Sequence, residues 1–170
     1  MMGTAAGFAA CGRISLASTF AVFGTGRAKV DDVYQGSCPF QWGKGTVLRE
    51  GRDVTIIATG LMVQQALIAA DTLAAQGKQA MVINMAAIKP LDEDLVVAAA
   101  KQTGFVVTAE EHSVIGGLGS AVAETLSRRH PTRQAYVGID DCFGESGKAG
   151  ELLQKYGLTA EAIVKACLLA

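Results

Sequence analysis

Glu110-Glu111-His112-Ser113 follows directly on the apolar run Phe105–Ala109. Two carboxylates beside an imidazole are the raw material for proton transfer, one acid holding the ring in a single tautomer. The same residues at a strand end can instead bond loop amides or face a neighbouring subunit, and their position after an apolar run favours that structural or interface role. Gly116-Gly117-Leu118-Gly119 comes next and opens a helix. Free amides at a helix start can receive an anion, but the string is neither G-x-G-x-x-G nor a Walker loop. Tight packing of a strand-to-helix turn is the favoured reading. Gly144-Glu145-Ser146-Gly147 has the look of a nucleophile elbow. It lacks the second spacer of G-x-S-x-G and precedes only a short helix, which argues against serine hydrolase chemistry. Phe20 and Phe23 stand near the end of a predicted strand. They suit either a core or the wall of a planar-ligand pocket, and spacing alone favours the core. His130, ahead of Pro131 in a predicted exposed turn, receives no role.

The elements that must position these residues alternate with regularity from Gly45 to Ala170. Thr46–Glu50 reads as a short strand, Gly51-Arg52-Asp53 as its turn, and Val54–Ala58 as a β-branched central strand. Met62–Gln76 carries apolar residues at helical spacing and is followed by Gly77, a natural helix end. Ala80–Asn84 is the next strand. Asp92, Glu93 and Asp94 crowd the first turn of a helix running to about Gln102, where carboxylates favour the helix dipole. Phe105–Ala109 is a third buried strand. Glu110–Gly119 reads as a loop, a helix then ends near Arg129, and Ala135–Gly138 is a further strand. Two short helices, near 151–156 and 160–169, close the chain, with Thr159 as N-cap of the second.

Apolar strands separated by helices imply an α/β fold: a mostly parallel sheet with helices on both faces. A Thr46–Ala58 hairpin predicts one antiparallel edge strand. The first 44 residues differ. Gly3 and Gly7 among alanines would leave a nearly bare helix surface, and Ile14–Phe23 reads as one strand. One helix and one strand cannot bury themselves, so this piece calls for a partner.

Composition excludes several classes. The chain of 170 residues is 50% hydrophobic with a net charge of −1, which rules out bulk disorder. No basic excess exists to neutralise a nucleic acid or an anionic membrane. The uncharged stretch Val54–Ala70 is broken by polar residues and is too short to span a bilayer. The N-terminus places its first charge, Arg13, after the opening residues, against the order of a signal peptide. Cys11, Cys38, Cys142 and Cys167 form no C-x-x-C, which argues against zinc and for free thiols in the cytoplasm.

Several strings in order carry a family likeness. Ser18–Ala28 (STFAVFGTGRA), Gly51–Gly60 (GRDVTIIATG), Val82–Met85 with Ile88–Asp92, Glu110–Ser120 (EEHSVIGGLGS) and Phe143–Gly147 (FGESG) resemble transketolase. The likeness is nearest to the C-terminal subunit of its split, two-gene form and covers nearly the whole chain. Deoxyxylulose-phosphate synthase and the β subunits of 2-oxoacid dehydrogenases share the plan, but EEHS and FGESG favour transketolase.

The resemblance implies a transferase of the pentose phosphate pathway, moving a two-carbon ketol unit from a ketose phosphate to an aldose phosphate. It implies thiamine diphosphate as cofactor, with the diphosphate and a divalent metal (Mg or Ca) held by an N-terminal partner subunit. The expected assembly is a heterotetramer, or homodimer of heterodimers. The resemblance divides the chain into residues 1–44, a remnant of the pyrimidine-binding domain, and residues 45–170, the transketolase C-terminal domain. Phe20 and Phe23 match the family's aromatic pocket for the aminopyrimidine, although Gly26 stands where a third aromatic is frequent. The family's G-x-x-E-Q-N string, with the activating glutamate, belongs just ahead of the part matched by Met1–Gly7, and its G-E-D-G-x-T-H-Q string belongs where Ala28 runs directly into Lys29, so neither has a counterpart here. The sequence therefore carries no catalytic residue and no metal ligand of its own, and the chain alone is expected to be inactive. A non-catalytic interaction or regulatory module built on the same domain is one alternative, and a related thiamine-diphosphate enzyme of the deoxyxylulose-phosphate synthase or 2-oxoacid dehydrogenase β-subunit type is the other. Whether the missing stretches are absent from the polypeptide or only from these residues stays open. Glu110, Glu111, His112 and Gly116–Gly119 match a region whose family role is subunit contact and architecture.

Overall fold

The computed structural model describes residues 33–34 and 40–169. Phe20, Phe23, Cys11, Cys38 and the helix and strand expected before residue 30 lie outside the described residues. The elements run β1 (Thr46–Arg49), β2 (Val54–Ala58), α1 (Met62–Ala75), β3 (Ala80–Asn84), α2 (Glu93–Thr103), β4 (Phe105–Ser113), α3 (Leu118–Arg129), β5 (Arg133–Ile139), α4 (Ala149–Lys155) and α5 (Ala160–Cys167). They build one sheet in the order β1-β3-β2-β4-β5. Strands β3, β2, β4 and β5 are parallel, and β1 is an antiparallel edge.

Every residue of β2 is buried, so its β-branched run meets apolar partners on both faces. The faces alternate with the two-residue period of a strand. Val54, Ile56, Ala58, Phe105, Val107 and Ala109 join the cluster under α1 and α5. Ile57, Met81, Ile83 and Val106 join the cluster under α2 and α3. Each aliphatic side chain buried in this way contributes about 1.5–3 kcal/mol. Thr55, the polar residue in the middle of β2, is satisfied by Thr103 Oγ1 at 2.8 Å. Helix α1 ends where Lys78 N–H reaches Leu73 O at 2.9 Å, closing the last turn. Helix α2 is capped by Asp92, whose carboxylate accepts from Leu95 N at 3.3 Å, and helix α5 by Thr159, which accepts from Ala162 N at 3.3 Å.

Three expectations change. The segment from Thr46 to Ala58 is not a hairpin: β1 pairs with β3, through Thr46↔Asn84 and Val47↔Ile83, and β2 lies on the far side of β3. The connection crosses the start of β3, where Arg52 N and Asp53 N both donate to Gln79 O at 3.0 Å and Gln79 N donates to Asp53 Oδ2 at 2.6 Å. A Cβ on Gly51 would overlap the backbone joining Ala80 to Met81, so the crossing needs glycine. The second change is the length of β4, which continues through Ser113 where a loop from Glu110 was expected. Its end is held by Ser113 pairing with Ile139 and by Val114 N donating to Ile139 O at 3.0 Å. The third is β5, which extends beyond 135–138 to Arg133–Ile139 because it follows β4 along its length. Among the described residues no helix is long and apolar enough to cross a membrane.

Candidate functional site

The residues singled out for chemistry come together at the carboxyl end of β4. Helices α1 and α3 both start at this end of the parallel strands, where open α/β sheets tend to place ligands. Glu110 is 1% exposed. Its Oε2 accepts from Leu118 N at 2.8 Å and its Oε1 from Gly119 N at 2.8 Å. Both amides belong to the first turn of α3, whose own side chains provide no cap. The helix start thus takes an internal anion, a carboxylate delivered by the preceding strand. An external phosphate has no claim on these two amides. The chemistry expected of the glycine-rich turn and the bonding expected of the polar strand end are two halves of one contact.

The turn is shaped to let that contact form. A Cβ on Gly117 would overlap Glu110 Oε2, and one on Gly119 would sit 2.6 Å from Tyr136 Cδ1. Ser120 Oγ donates to Val114 O at 3.0 Å and accepts from Gly116 N at 2.9 Å, so the loop is closed on itself. Ser113 Oγ accepts from Ile115 N at 3.2 Å.

Glu111 and His112 follow Glu110 at the end of β4. Glu111 lies where β4 slips out of register with β5 between Ala109 and Ser113, and burial raises its carboxyl pKa. His112 is exposed, and its Nδ1 donates to Ser113 O at 3.1 Å. Glu110 gives both carboxylate oxygens to backbone amides of α3.

The remaining candidates are placed elsewhere. Gly144–Gly147 lies in the exposed segment between β5 and α4, with no strand-to-helix elbow at Ser146. Glu145 there takes Lys155 Nζ at 2.5 Å and Tyr156 OH at 3.0 Å. The ammonium, followed by the phenol, holds the Glu145 carboxyl below its usual range. Cys142 is an exposed free thiol, while burial pushes the Cys167 thiol up to about 12. His130 caps the end of α3 through its backbone N–H to Leu126 O at 2.9 Å. Among the described residues no group of three or more His, Cys, Asp or Glu is placed to hold a metal. A groove of about 400 Å³ between α3 and β5 is lined by Val114, Ile115, Ser120, Ala123, Glu124 and Tyr136. Sequence reasoning missed it, because a groove between a helix and an edge strand has no local signature.

Residues 43–163 match the family model for the transketolase C-terminal domain. The chain belongs to the transketolase C-terminal domain family. It is 55% identical over 127 residues to the 6-deoxy-6-sulfo-D-fructose transketolase subunit SqwH of Clostridium sp. (strain MSTE9), covering 75% of this chain and 39% of that protein. It is 43% identical over 144 residues to an apulose-4-phosphate transketolase subunit of Phocaeicola vulgatus, covering 84% of this chain and 46% of that one. A solved structure titled as a split gene transketolase, inactive β4 tetramer, superimposes with a TM-score of 0.79 at 53% identity, over 85% of this chain and 47% of that chain. The chain therefore spans less than half the length of these relatives. Within the transketolase family fold, Glu110 and the glycine turn are architecture at the carboxyl end of the sheet.

Proposed function

We propose that this chain is the C-terminal part of a split, thiamine-diphosphate-dependent transketolase that moves a two-carbon ketol unit between sugar phosphates. The observation that carries the reading is the family match over residues 43–163, joined by relatives named as separate transketolase subunits. On this reading residues 1–44 are a remnant of the pyrimidine-binding domain, residues 45–170 the C-terminal domain, and Phe20 and Phe23 stack on the aminopyrimidine. A separate N-terminal subunit holds the diphosphate and its divalent metal, and the two polypeptides form a heterotetramer in the cytoplasm. Thiamine diphosphate, when bound, supplies the electron sink for the carbanion equivalent of the transferred unit. The described residues do not fit the diphosphate and metal end of that cofactor: the free amides of α3 are occupied by Glu110, and no metal-holding cluster is present among them. What the described domain supplies is a rigid sheet end on which the rest of the assembly can be oriented.

The donor sugar is open to variation, since the two named relatives carry different sugars in their names. The test is reconstitution. The chain alone should give no ketol transfer from xylulose 5-phosphate to ribose 5-phosphate. Transfer dependent on added thiamine diphosphate should appear with the N-terminal subunit and a form of this chain in which the family's missing stretches are restored. Replacing Phe20 or Phe23 by alanine there should weaken cofactor affinity roughly 2- to 12-fold, the worth of one aromatic stacking contact. Turnover by the 170-residue chain alone would overturn the reading. Turnover of pyruvate in place of ketose phosphates would move it to the deoxyxylulose-phosphate synthase type, a relative of which is 43% identical over 125 residues. Stable binding to the N-terminal subunit without turnover of any donor would favour a non-catalytic module.

A further inference from the structure

Val33 and Tyr34 precede the span matched by the family model, which begins at residue 43, yet both are tied to the sheet. Tyr34 Oη accepts a hydrogen bond from Asn84 Nδ2 at 2.7 Å, across fifty residues of chain. Val33 packs against the apolar cluster that lies under α1 and α5. Asn84 is a firm anchor. It is the last residue of β3, and its backbone is registered against Thr46 of β1 on one side and Ala58 of β2 on the other. The next residue, Met85, donates its N–H to Ala58 O at 2.8 Å, so the strand end cannot swing. The side-chain amide of Asn84 therefore projects from a fixed platform at the carboxyl end of the parallel strands. A second tie follows along the chain, where Gly45 N donates to Asp92 Oδ2 at 3.2 Å and Lys44 Nζ stands 3.4 Å from Asp92 Oδ1. Polar contacts thus tie Tyr34 to the end of β3, and Lys44 and Gly45 to the start of α2.

We infer that Tyr34 and Asn84 form a latch that fixes the connecting segment ahead of the domain to the carboxyl end of the sheet. The latch goes beyond the proposed activity and does not depend on it. Tyr34 is a positioning residue: it acts by holding the segment through Asn84.

The experiment is hydrogen–deuterium exchange on the full chain, read in peptides covering residues 30–45 and, as an internal reference, in β2 and β4. Tyr34→Phe removes the acceptor and leaves the ring. Asn84→Ala removes the donor. Asn84→Asp reverses the bond, since the tyrosine hydroxyl can donate to a carboxylate. Tyr34→Phe and Asn84→Ala should each speed exchange in the connecting segment roughly 2- to 12-fold, the worth of one hydrogen bond. The double variant should be no faster than either single one, because both remove the same bond. Asn84→Asp should stay near the parent rate, and β2 and β4 should be unaffected by Tyr34→Phe. Parent-like exchange in Tyr34→Phe, or effects that multiply in the double variant, would overturn the latch. Faster exchange in β2 and β4 on Tyr34→Phe would also overturn it, showing that the residue only supports the sheet.

Discussion

Glu110 gives both carboxylate oxygens to the amides that open α3, and nothing else among the described residues serves those two donors. Replacing it with alanine leaves two buried amides without partners, at about 1–3 kcal/mol each. Urea unfolding of Glu110→Ala should show a loss of about 2–6 kcal/mol. The neighbouring glycines separate two physical effects. Gly117→Ala drives a methyl into Glu110, although its φ of −96° suits any residue. Gly116→Ala meets nothing within 4 Å, but its φ of +77° costs an L-residue about 1–2 kcal/mol. The urea midpoint should therefore fall further in Gly117→Ala than in Gly116→Ala, and the reverse order would show that Glu110 moves aside freely. Glu111 carries a pH signature of opposite sign to a salt-bridged acid. Burial raises its carboxyl above the usual 4.5, so the folded state holds the proton longer than the unfolded chain. Its charge then penalises folding, a penalty absent below that pH and complete once pH has risen through the folded value. Glu111→Gln should raise Tm at about pH 7 and leave it nearly unchanged at about pH 4.

Asp92 joins elements in the way Glu110 joins residues. It caps α2 through Leu95 N, takes Gly45 N at the entry to β1, and pairs with Lys44, while itself being 7% exposed. The lysine is half exposed, so the ion pair adds little, and the two amide bonds carry the effect. Asp92→Ala should cost about 2 kcal/mol from the lost cap and the unpaired Gly45 amide. Asp92→Asn, which can still accept, should recover most of it in thermal unfolding. In the first turn of the same helix, Glu93 and Asp94 meet Arg128 and Arg129 of α3, with Arg129 Nη2 at 2.7 Å from Asp94 Oδ1. The guanidinium bond and charge hold the Asp94 carboxyl below its usual range. All of these side chains are substantially exposed, so the network orients α2 on α3 more than it stabilises them.

At the scale of the whole molecule the two described thiols should behave differently. Cys142 lies on the exposed β5–α4 connection, whereas Cys167 is the buried last residue of α5, with its thiol pKa pushed up to about 12. Because the thiolate is the reactive form, native iodoacetamide labelling followed by peptide mapping should mark Cys142 and spare Cys167 until the chain is unfolded. Labelling of native Cys167 at a rate like that of Cys142 would mean that α5 opens readily. The domain also leaves apolar surface on its outside: Ile115 and Tyr136 beside the α3–β5 groove, and Ile68 and Leu168 beside a second groove of about 490 Å³ between α1 and α5.

The pattern of strands and helices after residue 45 was legible in the chain because the signals are local. The β-branched run of β2, the helical spacing in α1, the caps at Asp92 and Thr159 and the glycines that follow α1 and α2 act within a few residues. Family membership was legible too, because strings such as Glu110–Ser120 are short and ordered. The partner of β1 was not, since choosing β3 over β2 depends on contacts between residues that the chain places far apart. The extension of β4 past Ala109 depended likewise on Ile139, and the role of Glu110 on a helix start eight residues away that had to fold back over it. Sequence by itself determined which elements form and which face of each is apolar, because dihedral preference and side-chain period are properties of short segments. Only the tertiary structure decided which neighbour each element takes and where each buried charge finds its donors, because those are set by packing between distant parts of the chain.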